Sequence, residues 1–134
     1  LNQDEVSMIG NRRNGEAAQR FAERRRREDE APRLQDEVPT LASLKLEVDD
    51  RQAGAVSAEA KHVRRIVVEN APALFVISCG DLRCKDGGHD LTHEIMRALR
   101  SRTAQFEGTD ECRGSLGTSE CRRILHYSAF ATYR

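Results

Sequence analysis

Four cysteines stand in the second half of a 134-residue chain, at Cys79, Cys84, Cys112 and Cys121. They fall into two pairs, C-x4-C and C-x8-C, separated by a longer insert. Thiolates are soft ligands. Two such pairs, each on its own loop, are a common way for a chain to bring four of them around one tetrahedral ion. The residues between the cysteines suit tight loops: Gly80 to Arg83 in the first pair, Gly114 and Gly117 in the second. Glycine allows left-handed turns that let thiols converge. Arg83, Lys85, Arg113 and Arg122 flank the sulfurs. Four thiolates on a divalent zinc leave a net negative charge, which these cations would temper. The expectation is a structural metal site, zinc first, with Cys79, Cys84, Cys112 and Cys121 as ligands and with His89 and Arg113 just outside them.

Other chemistries compete for the same residues. Two disulfides need an oxidising compartment, and nothing here signals export. Free or redox-active thiols are a weaker reading, because there is no C-x-x-C. An iron–sulfur cluster is a further alternative. The order strand, cysteine pair, helix, strand, cysteine pair is similar to that of the thioredoxin-like [2Fe–2S] ferredoxins, although C-x8-C is wider than their second pair. His89 and His93 are rival ligands four residues apart. If Asp90 caps the helix, however, His89 falls outside it as a turn residue. Asp86, His89, Asp90 and His93, clustered beside the metal loops, are candidates for acid–base work. Asp86 and Asp90 are more simply read as shaping a turn and a cap. No HExxH, GxSxG, P-loop or zinc-deaminase signature occurs. A closed four-thiolate shell leaves no open position for catalysis. The chain therefore reads as a non-enzyme.

The elements that must hold these loops follow from periodicity. Residues 14–31 are mostly Arg, Glu, Ala and Gln, with Asn14 as a cap and Pro32 just past the end. They predict an exposed helix with only a narrow apolar stripe at Ala17, Ala18 and Phe21. Val38-Pro39 marks a turn. Leu44, Leu46 and Val48 alternate with Lys45 and Glu47, which predicts a half-buried strand. Residues 49–60 read as a loop and 62–69 as a second strand. Residues 73–78 (ALFVIS) are almost wholly apolar and predict a central buried strand running into Cys79. Gly87-Gly88 is a turn. Leu91, Ile95 and Leu99 lie four apart, so a helix is expected over 91–102, with Arg97, Arg100 and Arg102 favourably near its C-terminal end. Residues 103–107 predict a short strand. Residues 122–133 predict a long one, with Leu125, Tyr127, Ala129, Ala131 and Tyr133 on one face. The expected fold class is α+β: a small antiparallel sheet with one packed helix, stapled by the four-cysteine site, plus an N-terminal helical arm. The expected divisions are 1–13 disordered, 14–37 an Arg-rich helix with an acidic linker, and 38–134 the zinc-stapled domain.

The segment Cys84-Lys85-Asp86-Gly87-Gly88-His89-Asp90-Leu91-Thr92, with Cys79 before it and Cys112, Arg113, Gly114 and Cys121 after it, resembles a group of uncharacterised bacterial proteins with the same four-cysteine, zinc-ribbon-like pattern. The resemblance spans roughly residues 60–134. It implies a bacterial protein with a zinc site and brings no activity with it.

Composition bounds the function classes. Hydrophobic residues make up 38% of the chain and charged residues 33%, and there is no Trp. So thin an apolar supply favours a metal or disulfide staple. No apolar run is long enough to span a bilayer, and residues 1–11 lack the apolar centre of a signal peptide. A cytoplasmic protein without membrane contact is expected. The net charge of zero hides segregation. Residues 11–27 carry seven arginines against two glutamates, and residues 28–59 carry nine acids against three bases. Arg20, Arg24, Arg25, Arg26 and Arg27 are the candidate contacts for nucleic acid, a ribonucleoprotein such as the ribosome, or RNA polymerase. The alternative partner for residues 14–37 is a protein that this segment wraps.

Overall fold

A computed structural model of the chain describes residues 18–51 and 60–134. The expected disorder over 1–13, the cap at Asn14 and the loop tip at 52–59 lie outside the described residues. The chain divides into two compact units, Leu1–Ala31 and Pro32–Arg134. In the first, residues 18–30 are helical (α1). The helix closes with the Ala31 N–H on the Arg27 carbonyl at 3.0 Å, one residue before Pro32. Phe21 is 64% exposed, as expected for a helix without a core-facing stripe.

The second unit is built on a four-stranded sheet. Its strands are β1 (Leu41–Arg51), β2 (Ala60–Ile66), β5 (Gln105–Glu111) and β8 (Ile124–Tyr133), in the order β2-β1-β8-β5. Every pairing is antiparallel. Side chains alternate across the pleat, so the register sorts them into two faces. Leu44, Leu46 and Val48 stand beside Ala131, Ala129 and Tyr127, and all six are buried. The opposite face carries Lys45, Glu47, Ser128 and His126. Two ladders are short: β3 (Val76–Ile77) with β4 (His89–Asp90), and β6 (Ser115–Leu116) with β7 (Ser119–Glu120).

One helix packs on the apolar face together with several buried residues from the connecting segments. It spans Thr92–Arg100 (α3) and contributes Ile95, Met96 and Leu99 to the core, with Leu91 just before it. The cap position is Leu91, one residue later than expected; Asp90 stands just before it, and its carboxylate accepts the Thr92 N–H at 3.0 Å. The helix stops at Arg100 because Arg102 turns left-handed at φ 55°. The Thr103 N–H then bonds the Ala98 carbonyl and the Arg102 N–H the Leu99 carbonyl, both at 3.0 Å. That is a Schellman closure. Arginine replaces the usual glycine there, and its guanidinium lies over the Tyr133 ring, 5.5 Å from the centroid.

Several elements differ from expectation. The 73–78 run is not a central strand. Only Val76–Ile77 is extended in a ladder, and that ladder stands apart from the main sheet. Ala73, Phe75 and Ile77 are nonetheless buried, because the segment threads beneath the core. The Leu91 N–H bonds the Phe75 carbonyl at 2.8 Å, and the Phe75 N–H bonds the Thr92 hydroxyl at 2.8 Å. Strand β1 continues through Asp49, Asp50 and Arg51, which read as loop. Strand β5 likewise runs on to Glu111. The acidic linker is folded: Leu34–Glu37 is a short helix (α2) whose Leu34 is fully buried. The compact unit therefore begins at Pro32, earlier than the boundary expected at residue 38. The α+β class, the packed helix after Asp90 and the outward and inward faces of residues 124–133 are as expected.

Gly108 shows how tightly the face packs. It sits directly across from Tyr127. A methyl group at Gly108 would lie 2.7 Å from the Tyr127 hydroxyl oxygen and 2.8 Å from the ring. The ring needs that space to place its hydroxyl, which donates to Glu94 of α3 at 2.6 Å. Burial, with Glu94 beside it, pushes the Tyr127 phenol well above its ordinary value. Gly108→Ala should destabilise the domain by about 1–3 kcal/mol in chemical denaturation. Thr109→Ala, on the exposed side of the same strand, should change it by less than about 0.5 kcal/mol.

Candidate metal centre

Three of the cysteines sit just past a strand, and Cys84 ends a turn. Cys79 lies just past β3 and Cys112 follows β5 directly. Cys84 closes the turn that leaves Cys79, with its N–H on the Asp81 carbonyl at 3.1 Å. Cys121 follows the β6–β7 hairpin, whose turn holds Gly117 at φ 71°. Backbone hydrogen bonds then join the two loops and close the second loop on itself. Lys85 and Ser115 exchange hydrogen bonds of 2.9 and 3.0 Å. The Cys121 N–H reaches the Gly114 carbonyl at 2.9 Å, and the Cys112 N–H reaches the Arg123 carbonyl at 2.7 Å.

The result is one cluster. All four sulfurs lie within 4.8 Å of one another. The nearest contacts cross between the sequence pairs: Cys79 to Cys121 at 3.6 Å and Cys84 to Cys112 at 3.6 Å. Four thiolates around one ion at a typical zinc–sulfur distance stand about 3.8 Å apart. The cluster fits that figure, and all four cysteines are free. These residues are able to hold a metal ion.

Amide donors and burial pull in opposite directions on the charge of the sulfur. Backbone amides donate to it: Asp81 to Cys79 at 3.4 Å, and Gly88 and Gly114 to Cys112 at 3.3 and 3.5 Å. Gly88 makes its contact from a left-handed φ of 124°. Burial alone would raise the Cys112 thiol, but the Gly114 and Gly88 amides hold it below its usual value. Burial pushes the Cys79 thiol well up. Burial, with Cys112 alongside, pushes Cys84 up to about 11. An ion entering this cluster therefore displaces protons from thiols that otherwise hold them at neutral pH.

No family model matches this chain. Neither a curated protein nor a solved structure gives a match to it.

The sheet fixes the cysteine loops through buried polar pairs that the sequence did not reveal. Asp50 at the end of β1 holds the Arg123 guanidinium at 2.6 Å, with both side chains largely buried. Arg123 stands two residues after Cys121. The same carboxylate packs on Gly80, next to Cys79, so closely that no side chain fits there. Asp110 of β5 holds His89 Nδ1 at 2.7 Å, and His89 follows Gly88, the donor to Cys112. His89 is thus a buried strand residue of β4, not a turn residue. Neither His89 nor His93 belongs to the sulfur cluster. Asp86 does shape the turn, at φ 57°.

Charged neighbours are placed differently from expectation. Arg113 is exposed. Arg83 folds back on Asp81, at 2.9 and 3.1 Å, and those hydrogen bonds hold the Asp81 carboxyl down at about 2. Arg122 pairs with Glu111 at 3.0 Å. The direct donors to sulfur are amides instead. The arginines proposed for partner binding all lie on α1, in the other unit. Arg20, Arg25, Arg26 and Arg27 are exposed and Arg24 is half-buried. Arg24 pairs with Glu28 and Arg26 with Glu23.

Gly114 matters by absence of bulk. A methyl group there would lie 2.6 Å from the Lys85 carbonyl and 2.7 Å from the Gly87 Cα, and would press on the Cys84 sulfur. Gly87 is equally confined, against the sulfurs of Cys84 and Cys112. Gly114→Ala should force Cys84 out of the cluster and reduce bound metal well below one ion per chain. A Gly117→Ala variant, whose added methyl group meets open space, should keep full stoichiometry at a cost of about 1 kcal/mol for the positive φ. Elemental analysis of both purified variants checks the contrast.

Proposed function

We propose that this protein is a small zinc-binding interaction module in which Cys79, Cys84, Cys112 and Cys121 hold one structural Zn²⁺. The observation that carries the reading is the mutual approach of all four sulfurs within 4.8 Å. A [2Fe–2S] cluster places its thiolates on two separate irons, so sulfurs from different pairs stand further apart than ligands of a single ion. Zinc bound by four thiolates contributes folding energy and leaves no site for water or substrate. On this reading the centre is not catalytic. Its role is to lock two loops, and through Asp50 and Asp110 the sheet, into one shape.

Elemental analysis under native conditions tests the metal directly, with one zinc per chain expected. Iron with visible absorption would replace zinc by an iron centre. Cys112→Ser should lose the metal and unfold Pro32–Arg134, seen as loss of cooperative thermal unfolding. A folded, metal-free Cys112→Ser protein would refute the structural role.

The partner we propose is nucleic acid or a ribonucleoprotein, contacted through Arg20 and Arg24 to Arg27 on α1. Support comes from charge: among the described residues, Arg20 and Arg25 form no ion pair and face solvent. Phosphate contacts by exposed arginines weaken steeply with salt. Gel-shift titration against RNA and DNA should show binding at low salt that Arg20→Ala together with Arg25→Ala reduces severalfold. Absence of any shift at low salt would leave a protein partner for this segment as the better reading.

A further inference from the structure

The four-stranded sheet has two free edges, and their charges are opposite. One edge is β2, with His62, Arg64 and Arg65 exposed. The other is β5, with Glu107 and Glu111 exposed and Asp110 partly so. Among the described residues, no backbone hydrogen bond reaches the outer side of either strand. An open edge is a row of unpaired N–H and C=O groups able to template another strand. Val63 at 53% and Val67 at 60% exposure leave apolar surface along the β2 side.

We infer that the β2 edge of one copy of this chain pairs with the β5 edge of a second copy, continuing the sheet head to tail. Strand direction allows it. The order β2-β1-β8-β5 is antiparallel throughout, so β5 runs opposite to β2. A second copy shifted sideways without rotation then sets β5 antiparallel to β2. Both edge strands are seven residues long. Facing is decided by the register within the sheet. Arg64 stands beside Leu46 and Ile66 beside Leu44, on the helix-covered face. Phe106 stands beside Ala129 on that same face.

One register satisfies both faces. It sets Arg65 opposite Glu107, Ile66 opposite Phe106, Arg64 opposite Gly108, Val63 opposite Thr109 and His62 opposite Asp110. Arg65 and Glu107 are the decisive pair. Neither has an ion-pair partner among the described residues. Arg65 already stands beside Lys45 in the β1–β2 ladder, so a carboxylate on its outer side relieves a like-charge contact. Ile66 and Phe106, both half-buried at the margin of the core, would close that margin across the junction. The same charges block the two symmetric modes. A β2–β2 junction meets arginine with arginine, and a β5–β5 junction meets acid with acid.

Sedimentation velocity on the full chain tests this. At low salt the weight-average mass should rise continuously with concentration, and high salt should reverse it. Arg65→Glu alone and Glu107→Arg alone should each weaken association about tenfold, by setting like charges opposite. The double variant Arg65→Glu/Glu107→Arg should regain it, because the pair is restored with its polarity exchanged. Arg65→Gln repeats the test if reversal there disturbs the circular-dichroism spectrum. A wild-type chain that stays monomeric at low salt would overturn the inference. So would growth that stops at a dimer, or a double variant no better than the singles.

Discussion

In the second unit, four sulfurs from two loops distant in sequence converge closely enough to hold one ion. Like-charged thiolates repel, and their burial is costly. The structure offsets this with amide donors to Cys79 and Cys112 and with a close backbone zipper between residues 84–87 and 112–115. The confinement of Gly87 and Gly114 follows from the same demand. Two strands of backbone must pass close to Cys84, and any side chain at those positions would occupy the sulfur's place.

The main sheet is the frame against which this convergence happens. Its apolar face carries the helix, and its last polar residues reach toward the loops. Asp50, Asp110 and Glu94 each hold one partner: Arg123, His89 and the Tyr127 hydroxyl. Buried charges and polar groups need such partners, and removing one side of a buried pair leaves the other uncompensated. The Asp50–Arg123 and Asp110–His89 pairs tie the strands to residues close in sequence to Cys121 and to Gly88, the amide donor to Cys112. The cluster is therefore held from two sides, by the loops' own hydrogen bonds and by the sheet.

Much of this was legible in the sequence. The four cysteines carry their own chemistry, and the alternation of residues 124–133 fixes which side faces the core. Leu91, Ile95 and Leu99 announced the packed helix. What the sequence hid was tertiary. Asp49 and Asp50 read as loop because a strand containing them makes sense only once Arg123 lies alongside. The ALFVIS run reads as a central strand because hydrophobicity reports burial and not hydrogen-bond partners. His89 looked like a turn residue because nothing local predicts Asp110. Leu34 was lost in an acidic stretch, although one buried leucine is enough to draw that segment into the core. Gly87, Gly108 and Gly114 are held by neighbours distant in sequence, and a single chain carries no sign of them.

The sheet order has a consequence for how the chain reaches its native state. The inner strand β1 has as neighbours β2, close behind it in sequence, and β8, far along the chain. A ribosome-bound chain holds only the β1–β2 hairpin, with one side of β1 bare, until residues 124–133 have emerged. Two strands alone are marginal in water, so the core condenses late and the contacts that define it are long-range. Such topologies fold slowly for their size. An ion that captured Cys79 and Cys84 early would shorten the search by limiting where residues 112–133 travel. Metal supply during synthesis would then govern the yield of folded protein as well as its final stability.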